Sequence, residues 1–131
     1  MDKTEIHKLQ AFLRKTLGHA GIRVGLNPRD TETAVVHVGE RQIGTLEVDD
    51  EDGDRSFAFS MKIPVERAVL QEYLQKLLNN PKLLTINRSR KADSVELNSG
   101  EDYIGVISAD DAKGSSYTLQ IAILDFDLED V

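Results

Sequence analysis

An acidic run, Asp49–Asp54, holds the residues best suited to chemistry, with five carboxylates around Gly53. Clustered carboxylate oxygens are the ligands that Ca²⁺ takes, so the run is a candidate for a weak cation site. It does not fit an EF-hand loop, because Gly53 at the sixth position places Val48 first and Phe59 twelfth, where a carboxylate is needed. We therefore favour a solvated hairpin turn built on Asp-Gly, with cation binding as the alternative.

The other reactive residue types form no recognisable active site. The three histidines, His7, His19 and His37, lack the i, i+4 spacing of a helical metal site. The chain has no cysteine, which excludes disulfides, thiolate nucleophiles and thiolate metal ligands. It also lacks a G-x-S-x-G elbow and a glycine-rich phosphate loop between a strand and a helix. We therefore predict no catalytic, cofactor-binding or metal-binding residue and no cofactor.

The charge of the chain limits its partners. Its formal net charge is −7, which disfavours nucleic acids because they bind through Lys and Arg that neutralise phosphates. Arg88, Arg90 and Lys91 form one basic cluster, either a solvated loop or a surface for an acidic partner. No apolar signal region begins the sequence, and no run approaches the roughly 18 apolar residues of a membrane span. We expect a cytoplasmic protein without membrane contact.

The C-terminal residues Leu124–Val131 alternate apolar and acidic side chains. One interpretation is an edge strand whose charges deter aggregation. The alternative is a strand or a short tail, Asp125–Val131, that docks on a partner.

The elements that position these residues occur twice, because the sequence is similar to itself at an offset of 61 residues. The offset becomes 60 after a one-residue deletion in the second acidic turn. Matched pairs include Leu9 with Leu70, Gly39 with Gly100, Gly44 with Gly105, Asp49 with Asp110, Gly53 with Gly114 and Met61 with Ile121. This order of matches at turn glycines and periodic apolar positions indicates an internal duplication, with repeats 1–63 and 64–131.

Each repeat is predicted to begin with a helix, since apolar residues recur at three- and four-residue spacing. The first helix starts at a cap, Asp2 or Thr4, and stops at Gly18; the second has Pro64 in its first turn and ends at Asn79-Asn80-Pro81. Predicted strands are 21–26, 34–38, 41–48 and 55–63, then 82–87, 94–98, 102–109 and 116–126, with polar loops at 27–32 and 88–93.

Two glycines, Gly44 and Gly105, interrupt strands at equivalent positions, which predicts a bulge or a close backbone approach. Short turns make the strands antiparallel. We predict one α+β domain over residues 1–131, in which two tandem helix-plus-antiparallel-strand repeats form a pseudo-twofold unit with two helices packed on antiparallel sheet. Neither half is expected to fold alone, and the chain is expected to be a monomer that acts as a covalent pseudo-dimer.

Several segments carry a family resemblance: Leu9–Lys15, Gly21–Val24, Ile43–Leu46, Asp49–Asp54 and Ser116–Asp130. They resemble a family of short proteobacterial proteins, of alphaproteobacterial type, known only as a domain of unknown function. Members of that family are about one repeat long, so this chain resembles two of them in tandem. The resemblance implies a bacterial cytoplasmic protein, and it implies no activity, catalytic residue or ligand.

Three functions remain open, and we favour a non-enzymatic protein-interaction module, a small acidic adaptor or chaperone-like protein whose partner is another protein. Its small size, its acidity and its internal symmetry are consistent with this function. The second is binding of a small ligand or cation in the cleft between the repeats. The third is an enzyme of unknown type, which requires a pocket with convergent polar groups.

Overall fold

The structure, a computed structural model, describes residues 1–50 and 55–129. Within these residues the architecture is α+β, with two α-helices and one eight-stranded antiparallel sheet. None of the described helices is long and apolar enough to cross a membrane.

Helix α1, Lys3–Leu17, begins and ends where its capping residues predict. The Asp2 carboxylate accepts a hydrogen bond from the Glu5 backbone N–H, and the Glu5 carboxylate accepts one from the Asp2 N–H. Gly18 ends the helix at φ +71°, a left-handed conformation that glycine adopts without steric cost. The predicted cap at Asp2 and the predicted stop at Gly18 are confirmed.

Helix α2, Leu70–Leu77, begins later than the sequence predicts. A short 3-10 helix, Arg67–Val69, precedes it, and Pro64 lies outside both, so the placement of Pro64 in the first helical turn is wrong. The local reason is a tight turn after the preceding strand, in which the Val65 N–H donates to the Ile63 carbonyl. The predicted end is confirmed, with Asn79 in the left-handed region at φ +48°.

The eight strands run in two sets of four. They are β1 (Ile22–Asn27), β2 (Asp30–Val38), β3 (Arg41–Asp49) and β4 (Ser56–Ile63), then β5 (Leu83–Arg88), β6 (Lys91–Ser99), β7 (Asp102–Ala109) and β8 (Tyr117–Leu124). Their order in the sheet is β1-β2-β3-β4-β8-β7-β6-β5, so the last strands of the two repeats meet at the centre. The sheet therefore reads as two copies of a four-stranded meander joined by β4 and β8.

The predicted polar loops at 27–32 and 88–93 are wrong, because both segments are tight hairpins. Strand β2 starts at Asp30 and β6 at Lys91, which leaves two residues in each turn. In the first turn the Asn27 side chain accepts a hydrogen bond from the Arg29 N–H. In the second, Arg90 takes a positive φ of 64°. Side-chain and backbone turn geometry therefore shortens connections that polarity alone predicts to be longer.

The seam between the repeats is the β4–β8 pair, whose inward side chains are apolar on both strands. The cross-strand partners are Phe57 with Ile123, Phe59 with Ile121, Met61 with Leu119 and Ile63 with Tyr117. All eight side chains are at most 6% exposed, and they belong to one core cluster with Leu9, Leu13 and Leu17 of α1 and Leu70 and Leu74 of α2. Apolar contact across the seam therefore unites the two repeats in one core.

The pseudo-twofold axis passes through one residue pair of the seam. Ser60 pairs with Gln120, and these two residues are equivalent at the offset of 60 residues (120 − 60). The pair therefore maps onto itself when the repeats are exchanged. A pseudo-twofold arrangement of the two repeats follows directly from this register.

The two strand glycines lie against the carbonyl groups of that self-equivalent pair. A Cβ atom on Gly44 would lie 2.5 Å from the Ser60 carbonyl oxygen, and one on Gly105 would lie closer still to the Gln120 carbonyl oxygen. Each glycine also follows a bulged residue, because the β2–β3 and β6–β7 registers skip Ile43 and Ile104. Both features that the sequence predicts here, the bulge and the close backbone approach, are confirmed.

Each outer strand of the sheet is capped by side chains of its own repeat's helix. The Val24 N–H donates to the Gln10 side chain, and Arg14 Nε donates to the Ile22 carbonyl over 2.7 Å. The second repeat repeats this arrangement at the same offset, with Thr85 N–H donating to Gln71 and Gln75 Nε2 donating to the Leu83 carbonyl. On each outer strand, two of the backbone groups that an edge would offer to other strands are thus already bonded.

The C-terminal residues do not form the predicted edge strand. Strand β8 ends at Leu124, pairs with β4 and β7, and is central in the sheet. Residues Asp125–Leu128 form a 3-10 helix, because Leu128 returns to the core, where it is 3% exposed. Both strand interpretations of Leu124–Val131 are wrong for these residues, and residues 130–131 lie outside the described part of the chain.

Candidate functional site

An open cleft of about 530 Å³ lies between helix α1 of the first repeat and strands β7 and β8 of the second. We call it the aromatic cleft. It is lined by Phe12, Lys15, Thr16, Ser99, Asp102, Tyr103, Ile104, Ile121, Ala122, Phe126 and Asp127. Its apolar base includes Ile104 and Ile121, which are 6% and 2% exposed. The cleft between repeats that the sequence suggested as a ligand site is therefore present, and its ability to bind anything stays a prediction.

Tyr103 stands at the rim of this cleft because a bulge sets its direction. In the β6–β7 register Gly105 pairs with Leu97 and Tyr103 pairs with Asn98, which leaves Ile104 as the extra residue. The extra residue breaks the inward-outward alternation along the strand, so Tyr103, just before it, no longer follows the alternation of the residues after it. Ile104 and Gly105 are both buried, whereas Tyr103 is 60% exposed.

Phe126 also lines the aromatic cleft, on a turn that is anchored on both sides. The Leu124 N–H donates to the Asp127 carboxylate over 2.9 Å, and the Leu128 side chain is buried in the core. Between these anchors the Phe126 ring is 62% exposed. Phe126 and Tyr103 are the two most exposed large hydrophobic side chains among residues 1–50 and 55–129.

The charged groups of the aromatic cleft are mainly acidic. Asp102 and Asp127 line it together with one cation, Lys15. None of the three takes part in an ion pair among the described residues. The cleft thus combines two exposed aromatic rings, an apolar base and an excess of negative charge.

The pseudo-twofold equivalent of this region, formed by α2 of the second repeat and β3 of the first, is built differently. At the same offset Arg41 takes the place of Asp102 and Tyr73 that of Phe12, and the Arg41 guanidinium donates to the Tyr73 hydroxyl over 2.8 Å. Gln42 occupies the position of Tyr103. The neighbouring hollow, which we call the polar depression, has about 340 Å³ and is lined by Gln42, Ile43, Gly44, Thr45, Ser60, Lys62 and Thr118.

The acidic turn falls mostly outside the described residues, since residues 51–54 of Asp49–Asp54 are not among them. Its counterpart in the second repeat has the hairpin geometry that the sequence predicts. There Asp111 accepts hydrogen bonds from the Ser115 hydroxyl and N–H, and Asp110 accepts from the Thr118 hydroxyl over 2.6 Å. These donors lower the pKa of Asp111 and of Asp110 below the ordinary range, chiefly through the Ser115 and Thr118 hydroxyls respectively.

The histidines and the basic cluster do not contribute to the aromatic cleft. His19 Nδ1 accepts a hydrogen bond from the Gly21 N–H, and His37 lines a separate hollow beside Arg23. Arg88 donates to the Ser94 hydroxyl, while the side chain of Lys91 lies outside the described part of the chain. Within the ranges that the structure describes, no three His, Asp or Glu side chains are grouped so that they could hold a metal ion.

Sequence reasoning missed Tyr103, Phe126 and Asp102 as site residues. The available signal was a difference between the repeats. At the offset of 61, Tyr103 is aligned with Gln42 and Asp102 with Arg41. At these two positions the equivalent residues of the repeats differ in charge and in aromatic character.

Comparison with known proteins gives one result that concerns the duplication. No curated protein and no solved structure matches the chain. A family model matches it twice in tandem, over residues 5–65 and 66–127, and that family is described as "Protein of unknown function (DUF3126)". The predicted resemblance to a domain of unknown function in duplicate is confirmed, and the chain belongs to this family.

Proposed function

We propose that the protein is a non-enzymatic interaction module, an acidic adaptor or chaperone-like protein that binds another protein through the aromatic cleft. One observation carries the proposal: the two most exposed large hydrophobic side chains of the described residues, Tyr103 and Phe126, frame the same cleft. Aromatic side chains at the centre of an interface commonly dominate its binding energy.

Burial of the exposed Tyr103 and Phe126 rings would supply binding free energy. Burying a fully exposed aromatic side chain contributes about 1.5–3 kcal/mol, and both rings stand on anchored backbone, which lowers the ordering cost of binding. A partner side chain inserted between Tyr103 and Phe126 would contact Ile104 and Ile121 at the base. The cleft therefore provides an anchor pocket with a rim of two aromatic contacts.

The proposal includes a particular arrangement and setting. The two helices cover one face of the sheet, which is supported by the inward alternation of Phe57, Phe59 and Met61 and by the burial of Leu9 and Leu13. The chain acts as a cytoplasmic monomer, since the β4–β8 seam already supplies within one chain the pairing that a dimer of single repeats would make.

A second function, small-ligand binding, is favoured by the size of the cleft. Its volume of about 530 Å³ falls in the range of pockets that hold small molecules, roughly 300–1,000 Å³. The same residues would then bind an amphipathic small molecule instead of a peptide segment.

Site-specific photocrosslinking in cells tests the proposal. A benzophenone amino acid replaces Tyr103 or Phe126 in the full-length chain, and the matched control carries it in place of Gln42, the position equivalent to Tyr103. We expect one stoichiometric protein adduct from Tyr103 and Phe126, identified by mass spectrometry, and none from Gln42.

Two outcomes would contradict the interaction module. The same adducts from all three positions would mean collisions without a specific surface. Absence of any protein adduct, combined with stabilisation of the purified protein by members of a small-molecule panel, would favour the second function, because a ligand that binds only the folded state raises the melting temperature.

A further inference from the structure

We infer that the segment bound in the aromatic cleft is basic, with an Arg or Lys side chain next to a large apolar one. This inference rests on the proposed function and specifies the chemistry of the partner. The apolar side chain would occupy the pocket over Ile104 and Ile121, and the cation would lie at the rim near Asp102 and Asp127.

The aromatic cleft carries an excess of negative charge. The lining contains two carboxylates and one amine, and the 3-10 turn beside it adds the exposed carboxylates of Asp125 and Glu129. The whole chain carries a net charge of −7, so the field at the cleft attracts cations and repels acidic segments. Complementary charge mainly raises the association rate and selects among partners, whereas the apolar anchor supplies affinity.

The pseudo-twofold equivalent of the aromatic cleft lies between β3 of the first repeat and α2 of the second. There the chain supplies its own guanidinium, from Arg41, to the Tyr73 hydroxyl over 2.8 Å. In the aromatic cleft the equivalent of Arg41 is Asp102, so the intramolecular cation is replaced by an anion beside the aromatic Phe12. Phe12 has no hydroxyl to accept a hydrogen bond, so a partner's guanidinium would pair here with the Asp102 carboxylate, beside the Phe12 ring.

This protein already contains, within its own chain, a cation that contacts both an aromatic ring and a carboxylate. The Arg55 guanidinium lies 5.6 Å from the centroid of the Phe57 ring and donates to the Glu5 carboxylate over 2.6 Å. A cation held between an aromatic face and a carboxylate is a favourable arrangement at a partly exposed site. The rims at Tyr103 and Phe126 offer the same two components to a partner.

Binding of synthetic peptides to the full-length protein tests the inference. The probes are three fluorescein-labelled octapeptides on one Gly-Ser framework: one with two Arg and two Leu, one with Glu for each Arg, and one with Ser for each Leu. Fluorescence anisotropy at low and moderate salt gives Kd, and two-dimensional NMR locates the contact. We expect the Arg-Leu peptide to bind about tenfold more tightly than either other peptide and to shift the Tyr103 and Phe126 resonances.

Matched variants separate local charge from net charge. Asp102→Asn and Asp127→Asn should each weaken the Arg-Leu peptide about threefold, since Asn at 127 keeps an oxygen for the Leu124 N–H. Glu101→Gln removes the same charge from an exposed neighbour that does not line the cleft, and it should change Kd less than twofold.

The outcomes distinguish this inference from the proposed function. If the Glu-Leu peptide binds as tightly as the Arg-Leu peptide, or if all three variants lose the same affinity, the preference for a basic segment is wrong. The cleft would then remain an apolar docking site. If no peptide shifts the Tyr103 and Phe126 resonances, the inference fails, and the absence of crosslinked protein at those positions would remove the proposed function as well.

Discussion

The seam and the aromatic cleft show opposite relations between the two repeats. Beside the seam, equivalent positions keep the same chemistry: Gly44 in β3 and Gly105 in β7 each lie against a carbonyl oxygen of the self-equivalent pair. At the cleft, equivalent positions differ in charge and in aromatic character, with Asp102 in place of Arg41 and Tyr103 in place of Gln42.

The difference follows from what each position touches. A side chain on Gly44 or Gly105 would collide with the backbone of the neighbouring seam strand, which is held in the sheet on both sides. The positions of Asp102 and Tyr103 face solvent, so a change there has little structural cost. The positions beside the seam are therefore constrained by packing, whereas those at the cleft are free to differ between the repeats.

Separating the repeats should have the largest effect, because it removes the seam entirely. Fragments 1–65 and 66–131 would each expose one side of the apolar ladder, including Phe59 in one and Leu119 in the other. We expect each fragment alone to be unfolded or aggregated, and the equimolar mixture to recover the spectrum of the full chain. Circular dichroism and heteronuclear NMR measure both states. A dispersed, cooperatively melting monomer from fragment 1–65 would show that the seam is dispensable.

Substitution of Gly44 or Gly105, the two strand glycines beside the seam, should have the next largest effect. Gly44→Ala places a methyl group 2.5 Å from the Ser60 carbonyl oxygen, and Gly105→Ala places one closer still to that of Gln120. We expect each to lower the free energy of unfolding by about 3 kcal/mol, measured by urea denaturation. Gly25→Ala is the matched control, since a Cβ there meets nothing within 4 Å, and it should change stability by less than about 0.5 kcal/mol.

The contact between the helix ends provides a third test, of intermediate size. Asn80 is 7% exposed, and its Nδ2 donates to the Leu17 carbonyl over 3.1 Å, which joins the end of α2 to the end of α1. Asn80→Ala leaves that carbonyl without its donor and should cost about 1–3 kcal/mol in thermal or urea unfolding.

The equivalent residue, His19, makes only an exposed bond to Gly21, so His19→Ala should cost about 0.5 kcal/mol. Equal losses in the two variants would mean that Asn80 contributes no special link between the repeats.

The sequence predicts those features that depend on nearby residues. The capping box at Asp2 and the helix stop at Gly18 are each determined within a few residues, and both are confirmed. The constraint at Gly44 comes from the distant Ser60 carbonyl, and the signal for it was the matching glycine at position 105. The structure of Asp125–Leu128 could not be predicted in this way, because an alternating apolar and acidic pattern fits both a strand and a 3-10 turn. The burial of Leu128 decides between them.

The aromatic cleft could not be predicted because it depends on contacts between distant residues. Phe12 and Tyr103 line it together although they belong to different repeats, and their meeting requires the β4–β8 register and the bulge at Ile104. Hydrophobic periodicity contains no information about which helix faces which strand. Comparison of the two repeats, position by position, was the only available guide.

The smallest effect concerns an ion pair that occurs in one repeat alone. Glu5 accepts two hydrogen bonds from Arg55, at 2.6 and 3.0 Å, whereas the equivalents of these residues are Glu66 and Ser115. The bonds from Arg55 hold the pKa of Glu5 below its ordinary value of 4.5. The pKa of Glu5 is lower in the folded state than in the unfolded state. The ion pair therefore stabilises the fold at pH values above the ordinary pKa of 4.5, and this contribution is lost as the pH falls through the depressed pKa.

We therefore expect Glu5→Gln to reduce the free energy of unfolding by about 0.5–1 kcal/mol at pH 7 and by less at pH 3, because the contribution begins to be lost once the pH falls below the ordinary pKa of 4.5. Glu66→Gln, the matched change in the second repeat, should leave stability unchanged at both pH values, because Ser115 offers no positive charge. Urea denaturation at the two pH values measures both variants. A loss from Glu5→Gln that is as large at pH 3 as at pH 7 would assign the effect to helix capping by Glu5, and the electrostatic difference between the repeats would then disappear.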